Sequence, residues 1–154
     1  MFDGLLCIDL PQDTHLIGYA DDTLIISHSD NTDILELRLN ESLFRVKKWL
    51  DQKCIQLAVH KTEKVLVTDR RAFRFLYVLL EGKHIVWGRQ IIYLGVEIDH
   101  RLNFGPHINK MADKAANTGA CLARLMSNVH GPKEKKRRMI SGVVHSRMLY
   151  AAPV

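Results

Sequence analysis

Cysteine is scarce in this chain and long apolar runs are missing, and each shortage narrows what the protein can be. Cys7, Cys54 and Cys121 are odd in number, widely spaced and without metal-ligand spacing. They therefore give neither a disulfide framework nor a zinc site, and read as reduced intracellular thiols. No stretch of eighteen or more apolar residues occurs, so no membrane span is expected. Met1-Phe2-Asp3-Gly4 lacks the basic region of a signal peptide, and no targeting segment is read there. Internal repeats and low-complexity tracts are absent too. What is there is 154 residues, 47% of them hydrophobic, enough for one modest core with an appended helical lobe.

The net charge of +5 hides an asymmetry. Residues 1–60 carry ten Asp/Glu against five Lys/Arg, whereas residues 61–154 carry seven Asp/Glu against seventeen Lys/Arg. An acidic half able to hold metal, joined to a basic half able to hold a polyanion, is a pattern of nucleic-acid enzymes. Basic halves also occur in proteins that never meet nucleic acid.

Hydropathy patterning predicts an α+β chain. His15–Ala20 and Thr23–Ser27 have strand length and β-rich composition, and the residues between them read as a hairpin tip. Asp30-Asn31-Thr32-Asp33 reads as a helix start with Asp30 as cap. Leu35, Leu39, Leu43, Val46 and Leu50 then form one apolar stripe of a helix running to about Lys53. Arg38, Glu41, Arg45 and Lys48 lie on its other face, which reads as solvated. Strands are predicted at Gln56–Val59, Lys64–Thr68, Phe73–Leu80, His84–Trp87 and Ile92–Ile98, with Glu81-Gly82-Lys83 as a turn. No helix separates them, so antiparallel pairing is expected. Ile108, Met111, Ala115, Leu122, Met126 and Val129 trace a helix that begins near Pro106 and stops at Gly131-Pro132. A second helix is predicted from about Lys133 to Tyr150, with Ile140, Val143, Val144 and Leu149 apolar. Two helices joined by a short break form an antiparallel pair, and the boundary with the sheet region is placed near residue 103.

Four constellations carry chemistry. Asp21 and Asp22 sit at the hairpin tip in Tyr19-Ala20-Asp21-Asp22. Taken alone, turn preference is the cheaper account of an Asp pair. A fixed doubly negative point also suits Mg²⁺, which takes one or two carboxylates and shares its other positions with water and phosphates. Successive strand side chains face opposite ways, so one direct ligand is expected, Asp21, with Asp22 tuning the field. A two-metal site usually draws a third carboxylate from another strand. Asp3, Asp9 and Asp13 are upstream, but none lies in a convincing strand. In His60-Lys61-Thr62-Glu63, Lys61 reads as a solvated turn lysine or as a cation beside a triphosphate. In Tyr93-Leu94-Gly95-Val96, Gly95 reads as a strand bulge, with or without a backbone approaching it. Lys133, Lys135, Lys136, Arg137 and Arg138 form a basic block, either a solvated helix start or a set of phosphate contacts. The helix dipole disfavours cations at that end, which lends weight to a bound anion.

In this order and spacing the pieces resemble reverse transcriptases, with wording most similar to retrotransposons without long terminal repeats (LINE-like elements). Tyr19-Ala20-Asp21-Asp22 looks like their metal-binding hairpin, His60-Lys61-Thr62-Glu63 like the motif whose lysine, here Lys61, lies near the incoming nucleotide, and Tyr93-Leu94-Gly95-Val96 like the motif supporting the primer end. The terminal helices, with Ala115-Ala116 and the stretch from Gly142 to Pro153, look like the thumb. The resemblance implies a partial palm over residues 1–103, a thumb-like region over 104–154, and RNA-directed DNA polymerisation in the parent enzyme. It implies Mg²⁺ or Mn²⁺ at Asp21 and Asp22, and Tyr93, Leu94 and Gly95 positioning the primer. Partners would be an RNA template, a DNA primer and deoxynucleotides, without a membrane, and the location intracellular, the nucleus included.

The departures count as well. The family's fingers, its earlier aspartate-bearing palm motif and its Gly-rich motif precede the hairpin. Met1-Phe2-Asp3-Gly4 resembles the segment just after the Gly-rich motif. The chain is therefore expected to correspond to the C-terminal half of such an enzyme, inactive without the other half. The alternatives are a non-catalytic nucleic-acid-binding module and a degenerate retroelement relic.

Overall fold

The computed structural model describes residues 3–70, 74–125 and 133–150. Met1, Phe2, Phe73, Met126, Val129, Gly131, Pro132 and Pro153, which enter the readings above, lie outside the described residues. The architecture is α+β, as the sequence predicts. In chain order it has α1 (Asp3–Leu6), β1 (Thr14–Tyr19), β2 (Asp22–Ser27), α2 (Thr32–Gln52), a 3-10 turn (Val59–Lys61), β3 (Leu79–Leu80), β4 (Lys83–His84), β5 (Gln90–Tyr93), β6 (Val96–Asp99), α3 (Gly105–Leu125) and α4 (Glu134–Met148). The strands pair antiparallel in three separate two-stranded ladders, β1–β2, β3–β4 and β5–β6.

Helix α2 is the hub. Its N-cap is Asn31 rather than Asp30: the Asn31 side chain accepts from the Asp33 backbone N–H at 2.8 Å. Both residue types cap well, and the geometry picks the later one. Val46 and Leu50 are buried with Leu5 of α1, and Leu16 of β1, Ile25 of β2, Trp49 and Leu57 pack against them. Leu39 and Leu43 pack against a second buried group, Val78, Leu80 and Ile85, which Leu57 also touches. One apolar stripe, spaced by threes and fours, thus holds the β1–β2 hairpin near its C-terminal end and the β3–β4 region nearer its middle.

The polar side of α2 is not simply solvated. Arg38 donates to the Asp13 carboxylate at 3.1 Å and to the His28 carbonyl at 2.8 Å. Arg45 donates to the Asp9 carbonyl at 2.6 Å and pairs with Glu41 at 2.5 Å. Asn40 bridges the neighbouring chain, donating to the Tyr77 carbonyl and accepting from the Leu79 N–H. Helix side chains stand in here for a missing strand partner, satisfying backbone groups that would otherwise be orphaned.

Several predicted strands shorten. Gln56–Val59 leads into the 3-10 turn, and Lys64–Thr68 keeps an isolated parallel bridge between Lys64 and Trp87 and a bond from the Thr68 N–H to the His100 carbonyl at 3.3 Å. Of the two strands about Gly82, Leu79–Leu80 and Lys83–His84 form the ladder, and the Ile85 N–H donates to the Val78 carbonyl at 3.0 Å beyond it. Their composition favours extended backbone, but extended backbone becomes a ladder only beside a partner of matching register. The largest correction concerns Ile92–Ile98. It is not one strand with a bulge but two, β5 and β6, in which Tyr93 faces Val96 across a Leu94-Gly95 loop. Leu94 (φ 49°) and Gly95 (φ 80°) are both left-handed, the requirement of a type I′ hairpin turn.

Candidate functional site

The β1–β2 hairpin places the acidic pair. Its register sets Tyr19 opposite Asp22, leaving Ala20 and Asp21 as a two-residue loop. Ala20 has φ 54° and Asp21 is not left-handed, the pattern of a type II′ turn in which glycine is normally preferred at the first position. Holding alanine there costs on the order of 1 kcal/mol. The base of the hairpin is fastened by the Arg38 contacts to Asp13 and His28 and by a 2.9 Å hydrogen bond between the Thr14 and Ser27 hydroxyls. Opposed residues share a face, so Leu16 and Ile25 turn toward α2 while Ile17, Tyr19, Asp22 and Ile26 line the other side. Gly18 lies on the inner face against α1, where an added Cβ would stand 3.1 Å from Leu6 Cδ2.

Asp21 and Asp22 are both exposed at this tip. Asp21 projects from the loop and Asp22 from the strand, so the two carboxylates differ in setting, as their adjacency predicts. Two exposed carboxylates on a short turn could hold a Mg²⁺ ion that keeps water and phosphate in its remaining positions. No third ligand joins them: among the described residues there is no group of three or more His, Cys, Asp or Glu side chains placed to hold a metal ion. Asp9 and Asp13 are engaged by Arg45 and Arg38. Asp3 lies in α1, whose residues line a shallow depression with Gly18, Ala20 and Thr23.

Lys61 ends the 3-10 turn and is exposed, as is His60. The turn follows Leu57, the residue that touches both cores. Lys61 makes no ion pair among the described residues. The lysine whose pKa is lowered is instead Lys64. Burial holds its ammonium below the ordinary lysine pKa, Glu36 opposing the shift, and it donates to the Leu76 carbonyl at 2.7 Å. That contact docks a chain segment and places no cation in the open.

At the β5–β6 turn, Leu94 and Gly95 form the tip while Tyr93 turns inward. The Tyr93 hydroxyl is buried without a hydrogen-bond partner among the described residues. The turn is backed by Tyr150, whose hydroxyl donates to the Leu94 carbonyl at 2.7 Å. On β6, Glu97 pairs with Lys110 of α3, and the Glu97 N–H donates to His107 Nδ1 at 3.3 Å. Asp99 accepts from the Phe104 N–H at 2.8 Å and from the Arg101 N–H at 3.3 Å, closing the turn that leads into α3. Sequence reasoning passed over Glu97, Asp99, His107 and Tyr150. Asp99 five residues before Phe104 and a His soon after Pro106 were the available signals.

In the helical region α3 and α4 pack on each other, with Gly119 close under Val144. Met111 and Ala115 are buried, whereas Ile108 of the predicted stripe is exposed. Lys133 is the N-cap of α4 without a side-chain capping bond, and Lys135, Lys136, Arg137 and Arg138 follow on its exposed first turns. Glu134 is the acidic residue in that first turn and partly complements the dipole.

No protein-family model matches the chain, and no solved structure matches it. Sequence comparison with curated proteins does give relatives. The chain is 25% identical over 141 residues to the "Retrovirus-related Pol polyprotein from type-1 retrotransposable element R1" of Bradysia coprophila, and 26% identical over 128 residues to the "Retrovirus-related Pol polyprotein from type-1 retrotransposable element R1 2" of Nasonia vitripennis. The chain is related in sequence to retrotransposon Pol polyproteins. It is also 27% identical over 142 residues to the "Putative 115 kDa protein in type-1 retrotransposable element R1DM" of Drosophila melanogaster. These matches cover 80–90% of this chain but only 14%, 31% and 14% of the relatives. Among the described residues no helix is long and apolar enough to cross a membrane.

Proposed function

We propose that this chain is part of an RNA-directed DNA polymerase of a retrotransposon, contributing the metal-binding hairpin, the primer-supporting turn and a thumb. The observation that supports it best is the β1–β2 hairpin. Its register leaves Asp21 in the loop and Asp22 at the strand end, both exposed, on an element anchored at its base by Arg38 and free at its tip. Residues 1–103 then belong to a palm and 104–154 to a thumb-like region.

In this reading a primer 3′-hydroxyl would lose its proton and attack the α-phosphate of a deoxynucleotide, the bond to the β-phosphate breaking to release pyrophosphate, and a bound Mg²⁺ or Mn²⁺ would supply charge stabilisation. The chain's own residues bind and orient. Asp21 and Asp22 would hold the metal, Lys61 would meet the triphosphate or protonate the leaving pyrophosphate, and Leu94-Gly95 would support the primer end. A third carboxylate comes from an upstream segment of a longer protein. Each β1–β2 strand pairs only with the other among the described residues, so the ladder offers an edge on which such a strand can add. The chain alone therefore gives no primer extension.

Extension of a primed RNA template by a longer protein containing the upstream segment tests the reading. Asp21→Asn abolishes synthesis, and Lys61→Ala lowers it by about 10²–10⁴-fold, the range of a lost general acid. Full activity in Asp21→Asn, or template-dependent synthesis by the present chain alone, contradicts it.

A further inference from the structure

The β5–β6 turn is held from outside its own hairpin. Leu94 is a branched residue in a left-handed conformation, and such a state persists when its surroundings over-determine it. The surroundings here are the end of α4 and the start of α3. The Tyr150 hydroxyl donates to the Leu94 carbonyl at 2.7 Å. The same ring closes over Gly95, where an added Cβ would stand 3.4 Å from the hydroxyl oxygen. The Tyr150 carbonyl is 3.4 Å from His107 Nε2. His107 is buried, and its Nδ1 accepts from the Glu97 N–H at 3.3 Å. An Nδ1 that accepts leaves the proton on Nε2, which donates to Tyr150. The bonds form a chain from the tip of the β5–β6 turn to the end of α4, through α3, and back to β6.

We infer that Tyr150 and His107 are positioning residues that fix the Leu94-Gly95 turn to the α3–α4 pair, so that the helices set where the primer end rests. This rests on the proposed primer-supporting role of that turn. Neither residue touches a reacting atom. Tyr150 acts through the Leu94 carbonyl, and His107 acts through Tyr150. A shift of the helices on a bound duplex would then bear on the turn through the Tyr150 bond at its tip.

The test compares the wild-type chain with Tyr150→Phe, which keeps the ring over Gly95 and removes only the hydroxyl. Backbone hydrogen exchange is followed at Gly95 and Val96, with β1–β2 as internal control. Affinity is measured in parallel for an RNA–DNA duplex with a recessed primer 3′-end and for the same duplex blunt-ended. The expected result is exchange at Gly95 and Val96 accelerated tenfold or more with β1–β2 unchanged. Wild type also prefers the recessed end, and the variant loses at least threefold of that preference at unaltered blunt-end affinity. Unchanged exchange overturns the latch. Accelerated exchange with the end preference kept overturns positioning of the primer and leaves the proposed function standing. Accelerated exchange with no end preference in wild type overturns the inference by removing the primer-supporting role itself.

Discussion

Tyr93 carries an unmet polar group at the turn that the resemblance links to the primer end. It closes the β5–β6 turn opposite Val96, yet its hydroxyl is buried and unpartnered among the described residues. Burying a hydroxyl without a hydrogen bond costs on the order of 1–3 kcal/mol. Tyr93→Phe is therefore expected to raise unfolding stability by about 1 kcal/mol, measured by urea denaturation. A loss of similar size would mean that the hydroxyl has a bonding partner. The Asp21-Asp22 pair was legible from residues alone because a hairpin tip bounded by two apolar runs has few other arrangements. Arg38 and Arg45 were not, because a helix face spaced for solvent looks the same whether its cations meet water or the Asp13 and Asp9 loops.

At the scale of elements, long periodic segments were legible and short extended ones were not. Helix α2 ends within a residue of its prediction, since five leucine and valine positions fix its face. Lys64–Thr68 has the composition of a strand, but β pairing depends on a partner that composition does not name. Leu94-Gly95 was read as a bulge because only Gly advertises positive φ, whereas Leu94 conceals it. The link between β6 and α3 carries a pH prediction. Burial pushes the Asp99 carboxyl up, but the backbone N–H groups of Phe104 and Arg101 lead a set of hydrogen bonds that outweigh burial and hold it below the ordinary aspartate value. A carboxyl depressed in the folded state contributes stability above its unfolded pKa of about 3.9, and that contribution is lost as pH falls through the folded value. Asp99→Ala should therefore lower stability at neutral pH and flatten its fall below about pH 4. Parallel wild-type and variant curves through that range would show that the carboxylate contributes no linkage.

For the molecule as a whole, the acidic first half and basic second half have structural counterparts. The hairpin tip gathers negative charge, and the start of α4 gathers Lys133, Lys135, Lys136, Arg137 and Arg138 on exposed positions. Apolar side chains are exposed as well: Leu37 and Phe44 on α2 are 68% and 67% exposed, and Ile17, Tyr19 and Ile26 line the outer hairpin face. If the basic block grips a backbone through about five phosphates, log K for duplex binding should fall against log salt with a slope near −4 to −5. A salt-insensitive affinity would rule that grip out, together with the reading of the chain as a stand-alone binding module.

The central claim is divalent-cation capture by the two carboxylates at the β1–β2 tip, and titration with Mn²⁺ tests it most directly. The titration uses the longer protein, with amide resonances observed at Ala20 to Thr23 and at the exposed acid Asp30 as reference. The account predicts paramagnetic broadening confined to Ala20–Thr23 at substoichiometric ion and removed by Asp21→Asn. Broadening no greater at the tip than at Asp30, or unaltered by that substitution, would contradict it.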